Sequence, residues 1–514
     1  MIIRKKDYQR KKFRLLNLWT IIILGLFLVG GFFYFNRSTS VEIAALPEGS
    51  EIKLGNEYRA TNKLSIDDIE PGIYKLRVSR KGFKAYDEKI EIKRGEKFSK
   101  KISLKPLFYD FEVKSSPSNA NYSLVLSDGS KKEGKTPFFG KVPAGDLKIK
   151  IDLDGYKILE ENIFLDDNLG KIFYLDPEGQ LVHHVLNIEY MPSPKCATFT
   201  KDSKEIWVTS LLNKKRGVSV FNSQNAEKIS DIYLAGGGGV EVIFSADGKK
   251  AYVSQMETAK VYEIDTKSKK VLRDFDTKSS WTKILALSPD GKTLYASNWS
   301  GNDVSEIDLK EGKVRRKIPT VVTPRGIYPT KDGKTLYVAG FDKGEIQKIN
   351  LEDGQSKVIF NSGGAARHIV ADEEKGVLYI SDMAKNTIFK VNLKDDKVEK
   401  FVETDNNPNT IALSPDKKIL FVSCRGINAS EENYYIPGPE WGSVLLFDTK
   451  TGKMLDAIIG GNQPTALDVS SDGKYLVFSD FLDAKLEIFE VPSYEVLKNG
   501  NGGRSEIYKR ELRK

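Results

Sequence analysis

Between residues 199 and 479 one pattern of apolar and polar positions returns seven times. An alternating run leads to an acidic turn, and a second run then rises through apolar residues to a small one. The copies are FTKDSKEIWVT (Phe199–Thr209), FSADGKKAYVS (Phe244–Ser254), LSPDGKTLYAS (Leu287–Ser297), PTKDGKTLYVA (Pro329–Ala339), ADEEKGVLYIS (Ala371–Ser381), LSPDKKILFVS (Leu413–Ser423) and VSSDGKYLVFS (Val469–Ser479). Their turn residues Asp202, Asp247, Asp290, Asp332, Glu374, Asp416 and Asp472 are spaced by 45, 43, 42, 42, 42 and 56 positions. A repeat of about 40–45 residues with room for four strands predicts a propeller blade. One such sheet cannot bury both faces, whereas a closed ring of sheets can. The pattern predicts an all-β chain dominated by a seven-bladed β-propeller over 181–498.

Upstream, the alternation has a different rhythm. Runs such as Tyr74-Lys75-Leu76-Arg77-Val78 and Leu147-Lys148-Ile149-Lys150-Ile151 have the period of two expected of half-buried strands. Turns punctuate them at Pro47-Glu48-Gly49-Ser50, Glu70-Pro71-Gly72 and Lys81-Gly82-Phe83. They recur at Pro117-Ser118-Asn119-Ala120, Gly134-Lys135-Thr136-Pro137, Pro143-Ala144-Gly145 and Asp154-Gly155-Tyr156. These motifs divide 41–106 and 108–178 into two small units, and each resembles the PEGA domain of bacterial surface proteins. The first unit lacks the Gly-Lys-Thr-Pro element, and the second replaces the Pro-Glu-Gly opening. The resemblance implies non-catalytic β modules at a cell surface. The blades, through Tyr252-Val253-Ser254, Tyr295-Ala296-Ser297 and Tyr337-Val338-Ala339, resemble the YVTN repeat of seven-bladed propellers. That resemblance implies a fold more than an activity.

Residues 15–35 contain no formal charge and are long enough to cross a hydrocarbon core of roughly 30 Å. Seven cations precede them, against Arg37 alone just after. The expectation is a basic cytoplasmic arm (1–14), an uncleaved single-pass anchor (15–36) in the bacterial cytoplasmic membrane, and an ectodomain outside it. The arm accounts for +6 of the net charge of +9, leaving +3 for the other 500 residues. A body so nearly neutral argues against nucleic acid as a partner. Two cysteines, Cys196 and Cys424, do not make a disulfide scaffold. Residues 499–514 read as a flexible charged tail. The outer closing strand is left open between Val185–Tyr190 and Tyr494–Lys498.

Strand direction locates candidate site residues. The start of each first strand and the end of each second strand share one face. Seven positions before the turn residues stand Lys195, Val240, Lys283, Arg325, Arg367, Asn409 and Thr465. Eight positions after stand Ser210, Gln255, Asn298, Gly340, Asp382, Cys424 and Asp480. The small residues just before these, Thr209 to Ser479, suggest a packed inner seam. The cations form a funnel for an anionic group, or a solvated rim balanced by Asp382 and Asp480. The sixth interval carries about 14 extra residues after Cys424-Arg425-Gly426, with Tyr434, Tyr435 and Trp441 suited to a sugar or protein contact. The ligand-binding set expected is Lys195, Lys283, Arg325, Arg367, Asn409, Asn298, Asp382, Asp480, Arg425, Tyr434, Tyr435 and Trp441.

No haem, zinc-protease, nucleophile-elbow or phosphate-loop motif is present, so no catalytic set, metal or cofactor is expected. His183 and His184 adjoin on a strand and point to opposite faces. The sequence favours a non-catalytic platform for an envelope glycan or protein. A lactonase-like hydrolase or lyase with its site at the channel mouth is the alternative, with Asp382 and Asp480 as its acidic candidates.

Overall fold

The computed structural model describes residues 18–26, 38–212, 217–429, 435–500, 504 and 507–514. They form two compact units, 1–175 and 176–514.

In the first unit, two β modules share one strand order. Ser40–Leu46 lies between antiparallel Lys63–Asp67 and parallel Lys97–Ser103. Phe108–Ser116 lies in the same way between Phe138–Pro143 and Leu169–Tyr174. A four-stranded antiparallel sheet completes each module. The alternation read from sequence is what buries the cores. Leu76 and Val78 face inward while Lys75 and Arg77 face out, and Leu147, Ile149 and Ile151 repeat this. The modules also touch one another. Arg80 covers the Phe164 ring at 4.2 Å, and Leu107 N–H donates to the Gly82 carbonyl at 2.9 Å.

In the second unit, seven four-stranded antiparallel sheets follow in order. Their innermost strands are Pro194–Phe199, Val242–Phe244, Thr282–Leu287, Pro324–Pro329, Ala366–Asp372, Pro408–Leu413 and Pro464–Val469. The last sheet draws three strands from the C-terminal end of the repeat region. Its outer strand is His183–Ile188, paired antiparallel with Lys485–Glu490. This settles the closing strand. Tyr494–Asn499 is a helix, N-capped by the Ser493 side chain. Blade seven also meets blade one directly, where Thr198 Oγ1 donates to Asp468 Oδ2 at 2.6 Å.

The acidic turns have a local cause. In six blades a hydroxyl two positions earlier donates to the turn aspartate, as Ser288 does to Asp290 at 2.6 Å, and the aspartate accepts the N–H two positions later, as from Lys292 at 3.1 Å. These bonds lower the Asp290 carboxyl below its ordinary range. Blade five departs, with Asp372 accepting from the Lys375 N–H instead.

The row of small residues does more than pack. The ladder between first and second strands slips at Lys195, Lys283, Arg325, Arg367, Asn409 and Thr465. A slipped ladder leaves an N–H without a strand partner. The hydroxyl of the second strand accepts it, as from Ile284 N to Ser297 Oγ at 3.0 Å and from His368 N to Ser381 Oγ at 3.2 Å. The same hydroxyl donates to the next blade. Thr209 reaches Val240 O at 2.9 Å, Ser254 reaches Lys283 O at 2.5 Å, Ser297 reaches Arg325 O at 3.0 Å and Ser381 reaches Asn409 O at 2.8 Å. Ser423 reaches Thr465 O at 3.5 Å, and Ser479 reaches Pro194 O at 3.0 Å across the closure. Blade four has Ala339 at this position. There Gly326 packs so tightly that a Cβ would lie 2.8 Å from Arg367 O.

The tail corrects an expectation. Tyr508 and Leu512 are buried against blade six, and Tyr508 Oη donates to Asp405 Oδ1 at 3.2 Å. Residues 507–514 are therefore docked. At the other end, residues 18–26 are helical and their apolar side chains are exposed. No helix among the described residues is long and apolar enough to cross a membrane; most of the expected anchor lies outside them.

Ser381→Ala leaves two buried backbone groups unpaired and is expected to cost about 1–3 kcal/mol, lowering the urea midpoint. Ser381→Thr keeps the hydroxyl, as blade one does with Thr209, and should recover most of the loss. An unchanged midpoint in Ser381→Ala would remove the bridge from this account.

Candidate functional site: a cationic channel mouth

Because each slip falls at the start of a first strand, it turns the side chain there out of the regular alternation. Lys195, Arg325 and Arg367 come to line one cavity of ≈ 320 Å³ on the propeller axis, together with Val240, Glu241 and His368. Lys283 and Arg425 belong to the same electrostatic group. The charges of Arg367, Arg325 and Arg425 all act on Lys195, and those of Arg325, Lys195 and Arg367 all act on Lys283. Burial, reinforced by these neighbours, holds the Lys195 amine well below its ordinary range and brings Lys283 down to about 5. Burial followed by Arg367 and Arg325 lowers His368 to about 4, so its imidazole is neutral. Its Nδ1 accepts the Ile411 N–H at 3.4 Å, which puts the ring proton on Nε2.

Glu241 and Asp468 are the acidic groups among the described residues lining this cavity, and Asp468 is already bonded to Thr198 Oγ1 and the Phe199 N–H. Burial pushes the Glu241 carboxyl up to about 7, opposed by the Leu285 N–H that it accepts at 2.5 Å and by Arg325. Asn409, in the same register as the cations, is fully buried. Neither of its amide side-chain atoms has a protein hydrogen-bond partner, while its carbonyl is held by Ser381.

Aromatic and thioether groups adjoin the cations. Lys283 Nζ lies 3.7 Å from the centre of the Trp299 ring, and Arg325 lies 5.6 Å from it. Trp299 meets Phe341 at 4.8 Å. Arg367 Nη1 donates to Met383 Sδ at 3.3 Å, and Lys195 Nζ stands 5.3 Å over Phe481. Trp299, Phe341, Met383 and Phe481 share one register, nine positions after their turn residues, and Arg425 holds that place in blade six. The collar lies one position beyond the expected row. Its signal is in the chain, since Leu211, Met256, Trp299, Phe341, Met383 and Phe481 give six apolar residues among seven. Glu241 is absent from the expected set because alternation alone does not single it out from an irregular strand.

The long loop reaches the mouth at its described ends. Tyr435 is about half exposed and lies 6.3 Å from Phe481. Asn428 Oδ1 accepts from Gln463 Nε2 at 3.4 Å, and Arg425 donates to Gln463 Oε1. Trp441 faces the C-terminal residues instead, with Lys514 Nζ 4.4 Å from its ring. Tyr434 lies outside the described residues.

Three expected site residues are committed elsewhere. Asn298 bonds Thr282, Asp303 and Ser305 within its own blade. Asp382 accepts from Ser362 Oγ, Ala365 N and Lys385 N. Asp480 accepts the Gly461 N–H at 2.8 Å and faces Lys485 Nζ at 3.4 Å. They tie loops together rather than lining the cavity, so they do not balance the cations as a solvated rim would require. Both cysteines are free thiols, Cys424 buried and Cys196 on the cavity wall.

An axial cavity ringed by cations on seven sheets defines a propeller with a polar mouth. Residues 196–500 match the family model described as "Lactonase, 7-bladed beta-propeller", and the chain belongs to that family. Residues 38–107 match the PEGA domain model. Over 67 residues the chain is 46% identical to Antigen Lp49 of Leptospira interrogans serogroup Icterohaemorrhagiae serovar copenhageni (strain Fiocruz L1-130), a match covering 13% of this chain and 15% of that protein. Among solved structures, Kuenenia stuttgartiensis Hydrazine Synthase is similar in fold, with a TM-score of 0.51 at 17% identity, over 59% of this chain and 96% of the other.

Replacing Arg325 by Gln removes the largest of the charges acting on Lys283 and is expected to raise its pKa. The rate of reductive methylation at Lys283, followed by mass spectrometry against pH, should move to higher pH in the variant. An unmoved profile would mean that burial alone sets that amine.

Proposed function

We propose that this is a membrane-anchored envelope protein whose propeller mouth binds the acidic groups of an envelope glycan without turning it over. One observation carries the reading: basic side chains from blades one, three, four, five and six act on one another around a single axial opening, the arginines keeping their charge. Such a cluster lowers the energy of an incoming carboxylate or phosphate and focuses the field at the opening. The adjoining collar adds stacking surface that suits a sugar ring better than an acidic peptide. The PEGA match and the similarity to a leptospiral antigen support an envelope setting. The 21-residue uncharged stretch supports the anchor. Within the lactonase family we read the blades as of the YVTN type.

A second reading has its own support. Glu241, whose carboxyl titrates near 7 on the same wall as Arg325, could take a proton from a water attacking the carbonyl carbon of a cyclic ester and return it to the ring oxygen as that C–O bond breaks. The family name points the same way.

Polygalacturonate serves as probe. Arg325→Gln and Arg367→Gln should each weaken its binding by about tenfold or more in titration calorimetry, since each removes a charged contact worth about 1.5–3 kcal/mol. Added salt should weaken the wild type as well. Binding should also tighten as pH falls from 8 to 6, because a bound anion draws protons onto Lys195 and Lys283. Equal capture of polyglutamate would move the reading to a protein partner. Turnover of lactones by the wild type, abolished in Glu241→Gln, would replace it with the second.

A further inference from the structure

Arg425 reaches the mouth from a backbone that its own blade does not hold by strand pairing. The second strand of blade six ends at Cys424, and the third begins at Ser443. Gly426, next to Arg425, has φ +75° and packs on the returning end of the long loop. A Cβ on it would lie 2.8 Å from Trp441 O and 3.2 Å from Glu440 O. Gly438 is pressed in the same way against the Ile427 carbonyl. The two ends of the loop are thus stacked back to back, and moving one moves the other.

That stack is gripped from outside by the C-terminal residues. Trp441 N–H donates to Leu512 O at 2.8 Å, Lys514 N–H donates to Pro439 O at 3.3 Å, and Lys514 Nζ donates to Gly438 O at 2.8 Å. A β-bridge joins Glu440 to Arg513. The grip is anchored in the core. Tyr508 is fully buried, Leu512 nearly so, and Tyr508 Oη shares the Asp405 carboxylate with Ser443 Oγ, which approaches at 2.6 Å. Asn406 Nδ2 adds a bond to Glu440 Oε2 at 3.2 Å.

We infer that Tyr508, Leu512 and Lys514 are positioning residues for the binding mouth, setting Arg425 through the stacked loop ends Gly438–Trp441 and Gly426. Arg425 N–H donates to Asn407 O at 3.1 Å, as Trp299 N–H does to Trp281 O at 2.9 Å in a blade of ordinary length, and Gly426 N–H donates to Asn406 O at 3.1 Å. The longer connection adds a pair of loop ends beyond that bond, and the C-terminal segment holds them. The inference rests on the glycan reading for its effect on affinity, but its structural half does not.

The test uses the whole chain, with Leu512→Ala, Lys514→Ala and Tyr508→Phe compared with the wild type. Hydrogen exchange at residues 425–429 and 438–442 should accelerate in Leu512→Ala and in Lys514→Ala. Polygalacturonate affinity should fall in parallel by up to about tenfold, the weight of one charged contact. Tyr508→Phe keeps the buried ring and removes only the bond to Asp405, so exchange and affinity should change in the same direction but by less than in Leu512→Ala. Lys514 is exposed, so its variant remains informative if Leu512→Ala is too unstable to study. Unchanged exchange in both alanine variants would overturn the inference, as would faster exchange with full affinity. If Arg325→Gln also binds like wild type, the glycan reading fails, and the exchange result alone then decides whether the C-terminal segment sets the loop.

Discussion

A strand that slips by a residue inside a protein exposes a backbone N–H that no neighbouring strand can take, and an unpaired buried N–H costs as much as a lost hydrogen bond. This propeller makes that slip in six blades, and in all of those but blade four answers it with a hydroxyl from the second strand. One oxygen accepts the freed N–H and donates to the carbonyl of the next blade. The acceptors include the carbonyls of Lys283, Arg325 and Asn409. The bond that joins the blades therefore also fixes the backbone from which the mouth's side chains project. Architecture and site share one device.

The device explains why cations can crowd together. Three arginines are buried at the mouth, and charges of one sign in a low-dielectric opening repel strongly. The lysines respond by giving up protons, which the guanidinium groups cannot do. An aromatic face takes part of the remaining charge, the Trp299 ring lying 5.6 Å from Arg325. A site so arranged is poised for an anion.

Much of this was legible in the chain. Six of the seven turns carry their own chemistry in a Ser/Thr-x-Asp pattern and the remaining one keeps the spacing, so the blade count needed no tertiary information. The cations at seven positions before the turns were likewise visible as a register. Asn298, Asp382 and Asp480 were misread because parity assigns a face and not a depth. They lie one residue inside the collar and spend their hydrogen bonds on loops. The hydroxyl row looked like packing, since a serine between two strands does not announce which carbonyl it will meet. The tail looked flexible because Ile507, Tyr508 and Leu512 are three apolar residues among charges, too few to form a pattern, and the cluster that buries Tyr508 and Leu512 includes blade six.

The strand His183–Ile188 is made long before the Lys485–Glu490 segment that it pairs with. Contacts so far apart in sequence form late, because the intervening chain must first be brought to order. During synthesis this segment must wait as an unpartnered ribbon until the last repeat arrives. A product cut short anywhere within the blades would keep two raw sheet edges, the hazard that invites misassembly with other chains. Ring closure thus doubles as proofreading, because only a chain carried through its final repeat can satisfy its first propeller strand.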